Sequence, residues 1–287
     1  MGIDFHGLRF LQFAVGNRPL NATLTLGRQE VHLSSNDQMS LLGLRGEFKF
    51  GDYPYCESLL SHFFGASKVD SMDISDFEGA TILADLSKPI SAFDRNFDAI
   101  LDFGTLEHVF NFPQAIENIS RMTARGGVII HVLPSNNFNG HGFYQFSPEL
   151  FFSMYSKPNG FADTQVFLAD LSDQEGWFEV KIPSNGNRHA YESISPVYVL
   201  VKTTKVSDLA KVDSVQQSDY LHEWSQENGY RSSANPITKG KKSDLRKVLL
   251  SIPLLSQALR AINQTRINRH SASKLNRNNP YINYFPI

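Results

Sequence analysis

Apolar and polar positions along the chain change period repeatedly, and each change predicts an element. Ala22 to Leu26 is a short apolar, β-prone run that Gly27 breaks. In "SSNDQMSLLGL", Ser35 with Gln38 three residues on reads as a capping box and predicts a short helix from Asn36 to Leu44. Tyr55, Leu59, Leu60, Phe63 and Phe64 share one helical face, and Gly65 stops that helix. "KVDSMDIS", "GATILADL" and "FDAILDF" read as three strands. "FPQAIENISRM" is amphipathic through Ala115, Ile116, Ile119 and Met122; "RGG" ends it, and "VIIHVL" has the continuous apolar character of a strand buried on both faces. Ser147 and Pro148 start another helix, and "GFADTQVFLAD" and "PVYVLVKTT" supply two late strands without a convincing helix between them, which suggests a closing antiparallel hairpin or a long loop.

Strands alternating with helices predict an α/β fold: a Rossmann-like, mainly parallel sheet with helices on both faces. The domain is expected to span residues 1–204, with a helical insertion at about 34–46. Residues 205–287 are read as a C-terminal extension, partly helical and basic from 239 onward. There, ten Lys or Arg face one acid, Asp244, and Leu245, Val248, Leu249, Ile252, Leu255, Leu259 and Ile262 form one apolar stripe. That stripe predicts a helix packed on its own domain or a homodimer contact, rather than a nucleic-acid or membrane surface.

Composition narrows the picture. A net charge of -2 gives no sign of a polyanion partner for the whole chain. The single cysteine, Cys56, excludes an internal disulfide and any Cys-rich metal site, and fits a reducing compartment. No signal peptide is apparent in "MGIDFHGLRF", and no apolar run approaches the ~20 residues of a membrane span. A cytoplasmic protein is expected. His6, His131 and His141 show no metal-ligand spacing, so no metal is expected.

In an open α/β sheet the ligand lies outside the carboxyl ends of the strands, near the point where strand order reverses. Read there, the chain offers Gly27, then Asp73 with Ile74, then Asp85 with Leu86, then Gly104 and Thr105 followed at once by Glu107 and His108. A carboxylate at a strand end offers two acceptor oxygens, enough for both hydroxyls of a ribose. "LPSNNFNGHGFYQFSPELF" adds polar and aromatic groups where a substrate would lie. Each item also has an ordinary structural reading: a strand-end Asp caps a turn, His108 is a partly buried histidine, and Glu107 favours a helix start.

Taken together, "KVDSMDIS", "ADLSKPI", "TLEHV" and "RGGVIIHVLP" resemble the class I S-adenosylmethionine-dependent methyltransferases of the small-molecule type, over about Ala22 to Thr204. "LTLGRQ" and "NNFNGHGFYQFSPELFF" further resemble a little-characterised bacterial branch whose first motif keeps a single glycine. The resemblance implies methyl transfer from S-adenosylmethionine to a small-molecule or saccharide-type acceptor. It places Gly27 and Gln29 at the methionine end of the cofactor, Asp73 with Ile74 at the ribose, Asp85 with Leu86 at the adenine, and Gly104 and Thr105 beside the sulfonium. A hydroxyl acceptor would also need a base, for which His108, able to titrate near neutral pH, is the candidate with Glu107 orienting it; His141, Tyr144 and Gln145 are candidates for substrate contact. The chain departs from the family pattern in its depleted first loop, where Thr25 stands at the usual acid position and about 25 inserted residues precede the next helix. A binding or scaffold protein that kept the fold without transfer is the alternative. A nicotinamide enzyme is opposed by the lack of any G-x-G-x-x-G.

Overall fold

A computed structural model of the 287-residue chain describes residues 2–43, 54–183, 191–208, 212, 215–226, 273–274 and 282–287. The stripe from Leu245 to Ile262 lies outside them. The elements in chain order are α1 (Phe5–Val15), β1 (Ala22–Leu26), α2 (Ser35–Leu42), α3 (Glu57–Phe64), β2 (Lys68–Asp73), β3 (Ile82–Leu83), β4 (Phe97–Asp102), α4 (Phe112–Met122), β5 (Thr123–Asn136), α5 (Pro148–Met154), β6 (Phe161–Asp170), β7 (Gly176–Val180), β8 (Tyr191–Glu192), β9 (Val197–Lys205), α6 (Ser218–Gln226), β10 (Ser273–Lys274) and β11 (Ile282–Pro286). No described helix is long and apolar enough to cross a membrane.

Nine of these strands form one sheet in the order β11-β7-β6-β9-β5-β4-β1-β2-β3. The stretch β3-β2-β1-β4-β5 is parallel throughout. Its order runs outward from β1 in one direction through β2 and β3, then restarts on the other side with β4 and β5. This is a doubly wound α/β sheet with its reversal between β1 and β4, where a crevice opens at the carboxyl ends. The late strands close the sheet: β9 inserts antiparallel between β5 and β6, and β7 and β11 extend the edge.

The chain divides into two compact units, one of residues 1–182, 193–217 and 276–287, the other of 183–192 and 218–275. In the first unit the segment after Thr204 is therefore not all appended: β11 returns to the sheet and pairs with β7, and its Phe285 stacks on Trp177. In the second, β8 and β10 form a short parallel pair and α6 is helical.

The sequence pattern explains the local structure, with corrections. α1, absent from the expected elements, is capped by Asp4, whose carboxylate accepts from the Gly7 N–H at 2.8 Å, and buries Leu8, Phe10, Leu11, Ala14 and Val15 at helical spacing. The capping box of α2 is Ser34 with Asp37, one residue earlier than expected; an aspartate is the stronger acceptor. "GATILADL" yields only Ile82–Leu83, because at this sheet edge Ser71 and Thr81 exchange side-chain-to-backbone bonds instead of ladder bonds. β5 starts at Thr123, directly after α4, so "RGG" lies inside the strand.

Side chains on one sheet face, including Ala99, Leu101, Ile130 and Phe167, pack with Leu8, Leu11, Leu59 and Leu60 of α1 and α3 in one cluster. The alternate residues Ile100, Ile129 and Leu133 are equally buried, and α4 and α5 bury Ala115, Ile116, Ile119, Phe151 and Met154 outside that cluster. α4 ends against a buried cation. Lys205, the last residue of β9, is 2% exposed and donates to the Ser120 and Thr123 carbonyls, both at 2.7 Å. These are orphan carbonyls of the helix end, so the ammonium satisfies both and complements the helix dipole. Lys205→Met keeps the apolar stem and removes the donor. It is expected to lower unfolding free energy by about 1.5–3 kcal/mol, the range for bonds to a charged group, as read by urea denaturation.

Candidate active site

The crevice at the reversal point is a cleft of about 610 Å³. Its floor is set by the loop after β1. Gly27 has φ +68°, and its N–H donates to the Met72 carbonyl at 2.7 Å. A Cβ there would lie 3.0 Å from Thr105 Oγ1 and 3.3 Å from Gln29 Nε2, so glycine is required by both conformation and space. The inserted segment does not disturb this loop. Val31 N donates to Pro54 O and Cys56 N to Gln29 O, at 2.7 and 2.9 Å, so α3 restarts beside the strand end it would otherwise follow directly.

Thr105 joins the two halves of the sheet. Its hydroxyl donates to the Leu26 carbonyl at 2.6 Å and accepts from Gln29 Nε2 at 3.2 Å, and its N–H donates to Asp102 Oδ1 at 3.0 Å. Gln29 Nε2 also donates to Leu26 O. The amide of Gln29 is thus engaged within the protein, while its Oε1 is buried without a partner. Beneath the loop, Asp102 Oδ2 accepts from His131 Nδ1 at 2.8 Å, and His131 Nε2 accepts from the Tyr155 hydroxyl at 2.7 Å. Burial pushes the Tyr155 phenol well above its ordinary range, which keeps it a donor. This fully buried chain across β4, β5 and α5 was not expected from the sequence; only the "DFG" and "IIHV" polar residues within apolar strands could have signalled it.

The expected cofactor residues converge. Gly27, Gln29, Asp73, Ile74, Asp85, Leu86, Gly104 and Thr105 all line the cleft, and His108, expected as a base, lines it too. Asp73 accepts from the Ser75 N–H through Oδ1 at 3.0 Å. Asp85 Oδ1 accepts from the Ser87 N–H and hydroxyl at 2.9 and 2.5 Å, and Oδ2 lies 3.2 Å from Lys88 Nζ. Those bonds to Ser87 hold its carboxyl below the usual range. They also fill much of its acceptor capacity, so Asp85 is first a turn-former. Ile74 is 71% exposed, an apolar side chain at the cleft wall. The sequence reading missed other lining groups, notably Arg28, Val109, Phe110 and Phe143. Arg28 is held by Glu57 Oε1 at 2.7 Å and by the Glu78 carbonyl at 2.8 Å. Phe110 and Phe143 are exposed and meet edge to face at 6.1 Å.

Of the expected substrate residues, only His141 lies beside Glu107 and His108, the two expected catalytic residues. Tyr144 donates its hydroxyl to the Phe110 carbonyl at 2.7 Å. Gln145 accepts from Phe138 N and donates to Asn139 Oδ1, at 2.9 and 3.0 Å. Both staple the loop at 137–146. That loop folds over the 3-10 turn Leu106–His108: Phe143 N and Tyr144 N both donate to the Glu107 carbonyl, and Gly142, at φ +114°, packs against Glu107 and His108. His141 Nε2 then lies 3.5 Å, and His108 Nε2 3.8 Å, from Glu107 Oε1. Glu107 therefore does not orient His108 through a hydrogen bond. Its side chain is 0% exposed, and neither carboxylate oxygen has a partner.

Burial, with a smaller contribution from the Asp102 charge, pushes Glu107 up to about 8. Partial burial, then the neighbouring His141, holds His108 below its ordinary value, and partial burial holds His141 below its own. At neutral pH the cluster is two neutral imidazoles around a mostly protonated carboxyl. Folded Glu107 keeps a proton that the unfolded chain releases above about pH 4.5, so this group makes stability fall as pH rises from there, levelling off above about 8. Glu107→Gln removes that fall. Thermal unfolding of variant and parent is expected to coincide near pH 4.5 and to diverge toward pH 8, with the variant the more stable. A parent as stable as the variant at the upper end would mean that the carboxylate has a compensating partner.

No family model matches the chain, and no curated protein matches it. Among solved structures it is similar to a methyltransferase-type protein from Bacillus halodurans, at 14% identity over 72% of this chain and 100% of that one, TM-score 0.40. It is also similar to the Burkholderia thailandensis 1,6-didemethyltoxoflavin-N1-methyltransferase, solved with 1,6-didemethyltoxoflavin and S-adenosylhomocysteine, at 15% identity over 70% and 76% of the two chains, TM-score 0.37. A third is the [4+2]-cyclase SpnF, at 10% identity over 70% and 81%, TM-score 0.40. With TM-scores below 0.5, these likenesses carry no weight for function; the geometry of the cleft does.

Proposed function

We propose that the protein binds S-adenosylmethionine in this cleft and transfers its methyl group to a small-molecule or saccharide-type acceptor. The observation that carries the reading is the convergence of Gly27, Asp73, Asp85 with Leu86, and Gly104 with Thr105 on one cleft, each group following a successive parallel strand. The resemblance in "TLEHV" and "RGGVIIHVLP" agrees with it.

The residues fit this cofactor better than a dinucleotide. A pyrophosphate needs several free N–H groups at a glycine-rich turn before a helix. Here the loop has one glycine, and its N–H is engaged by Met72. S-adenosylmethionine has no phosphate and needs only close backbone approach at that point. Asp73 would hold the ribose, with its Oδ2 as acceptor; Ile74 and Leu86 would flank the adenine, with a reduced part for Asp85. Gly27, Gln29, Gly104 and Thr105 would surround the methionine end, where the buried Oε1 of Gln29 is an acceptor suited to an ammonium. The cofactor supplies an activated methyl group. The protein supplies position, which contributes much of the rate in a displacement at carbon. The acceptor would enter past Phe110 and Phe143, over His108, whose polar ring is the one exposed member of the Glu107–His108–His141 group.

Calorimetry tests the reading. S-adenosylmethionine or S-adenosylhomocysteine is expected to bind at one site per chain and NAD not to bind. Asp73→Ala is expected to weaken binding by about 1–3 kcal/mol, roughly 5- to 150-fold, for lost bonds to two hydroxyls. Unchanged affinity in that variant removes Asp73 from the site, and NAD binding in place of S-adenosylmethionine overturns the cofactor assignment. Binding without turnover on any hydroxyl or amine acceptor would favour a non-catalytic protein that kept the fold.

A further inference from the structure

The polar group above the cleft poses a question that cofactor binding does not answer. Glu107 has two carboxylate oxygens buried without a partner, and His141 Nε2 beside them is buried without one as well. Buried polar atoms are nearly always paired, because an unpaired carboxylate forfeits its hydration. The separations are informative. Distances of 3.5 and 3.8 Å from Glu107 Oε1 to the two imidazole nitrogens exceed a good hydrogen bond. They are close to the ~3.4 Å between two donors that share a tetrahedral ion at about 2.0–2.2 Å from each. All three donor atoms lie within 4.8 Å of one another, and among the described residues no other group of three His, Cys, Asp or Glu does so.

We propose that Glu107, His108 and His141 form a binding site for one divalent first-row transition ion of the zinc or cobalt type, with its open coordination position toward the cleft. Two imidazoles and one carboxylate suit such borderline ions, whereas Mg²⁺ and Ca²⁺ favour oxygen ligands alone. A catalytic site of this kind keeps three protein ligands and leaves a position free. The local fold is built for it. The 3-10 turn presents consecutive residues Glu107 and His108 together, and Gly142 lets the loop bring His141 onto them; a Cβ at 142 would meet Glu107 Cγ and O at 3.0 Å. Consecutive ligands plus one 33 residues on match no regular helical spacing, which is why the histidines read singly from the sequence gave no metal expectation. The role of the ion rests on the reading above: it would hold an oxygen of the acceptor, and His108 would then hold the ion instead of taking a proton. The binding of the ion rests on the three side chains alone.

The test uses the full chain without a histidine tag, treated with chelator, and no S-adenosylmethionine, so a failure of cofactor binding leaves it unaffected. CoCl2 is added and the visible absorption of protein-bound Co²⁺ is followed. One saturable equivalent is expected, displaced by ZnCl2 and not by MgCl2. Glu107→Gln and His141→Ala are each expected to weaken Co²⁺ binding by at least about 10–100-fold, since even an outer-sphere partner of a metal ligand is worth that much. His62→Ala, on the exposed face of α3, is the control and is expected to leave the titration unchanged. Circular dichroism of each variant verifies its fold. Absence of saturable Co²⁺ binding in the parent chain overturns the proposal, and so does equal binding by the parent and the folded Glu107→Gln and His141→Ala chains.

Discussion

Everything in the cleft depends on how Thr105 ties the end of β4 to the end of β1. These two strands flank the reversal of the sheet, where the chain gives no direct connection between them. One hydroxyl bridges Leu26 and Gln29 on one side, and the backbone of the same residue is held by Asp102 on the other. Asp102 in turn is fixed by His131, and His131 by Tyr155. The result is a continuous hydrogen-bonded line from the first loop through the sheet to Tyr155, just after α5. In an apolar interior each of these polar groups would be costly alone; as a complete chain they set one register of loop against strand. The close approach of Gly27 to Thr105 follows from that line, as does the requirement for glycine.

Buried polar groups divide into two kinds in this protein. Lys205, Asp102, His131 and Thr203 are buried and hydrogen-bonded: the ammonium closes a helix end, and the others bond between elements. Glu107 is as buried as any of them and has no partner for its carboxylate. Its backbone carbonyl, by contrast, accepts from two N–H groups of the overlying loop. The main chain at Glu107 is therefore tightly specified while its side chain is left without a hydrogen-bond partner.

The parallel core of the fold was legible because its strands are apolar runs bounded by Gly and Asp. α4 matched residue for residue, since its apolar period is undisturbed and it is followed at once by a strand. What escaped had physical reasons. α1 carries its cap in an aspartate at position 4 and its apolar stripe in "FHGLRFLQFAV", where Gly7, Arg9 and Gln12 interrupt the apolar run. β7 and β11 are short strands that pair across more than a hundred residues, with β11 at the sheet edge and Phe285 stacked on Trp177, a contact invisible to local pattern. The strand-end carboxylates were legible as positions and not as states: Asp73 and Asp85 both line the cleft, yet Ser87 and Lys88 occupy much of Asp85. Tyr144 and Gln145 are polar positions within an aromatic loop, and the structure engages both: Tyr144 bonds to the Phe110 carbonyl and Gln145 to Phe138 and Asn139.

The loop after β1 keeps its shape with a single glycine. In a dinucleotide fold the glycine-rich turn serves both binding and packing, since its glycines admit the pyrophosphate and let helix approach strand. Here the two tasks are separated. Packing of α3 against the strand end is secured across the insertion by backbone bonds from Val31 to Pro54 and from Cys56 to Gln29. Arg28, between them, is fixed by Glu57 at the first turn of α3 and by the Glu78 carbonyl across the cleft mouth. With the loop anchored by its neighbours, a single glycine is enough where the backbone must come close, and the residues after it can carry side chains. The insertion thus leaves the geometry of the reversal point intact. Beyond the first loop the lining of the cleft includes His108, Phe110 and Phe143.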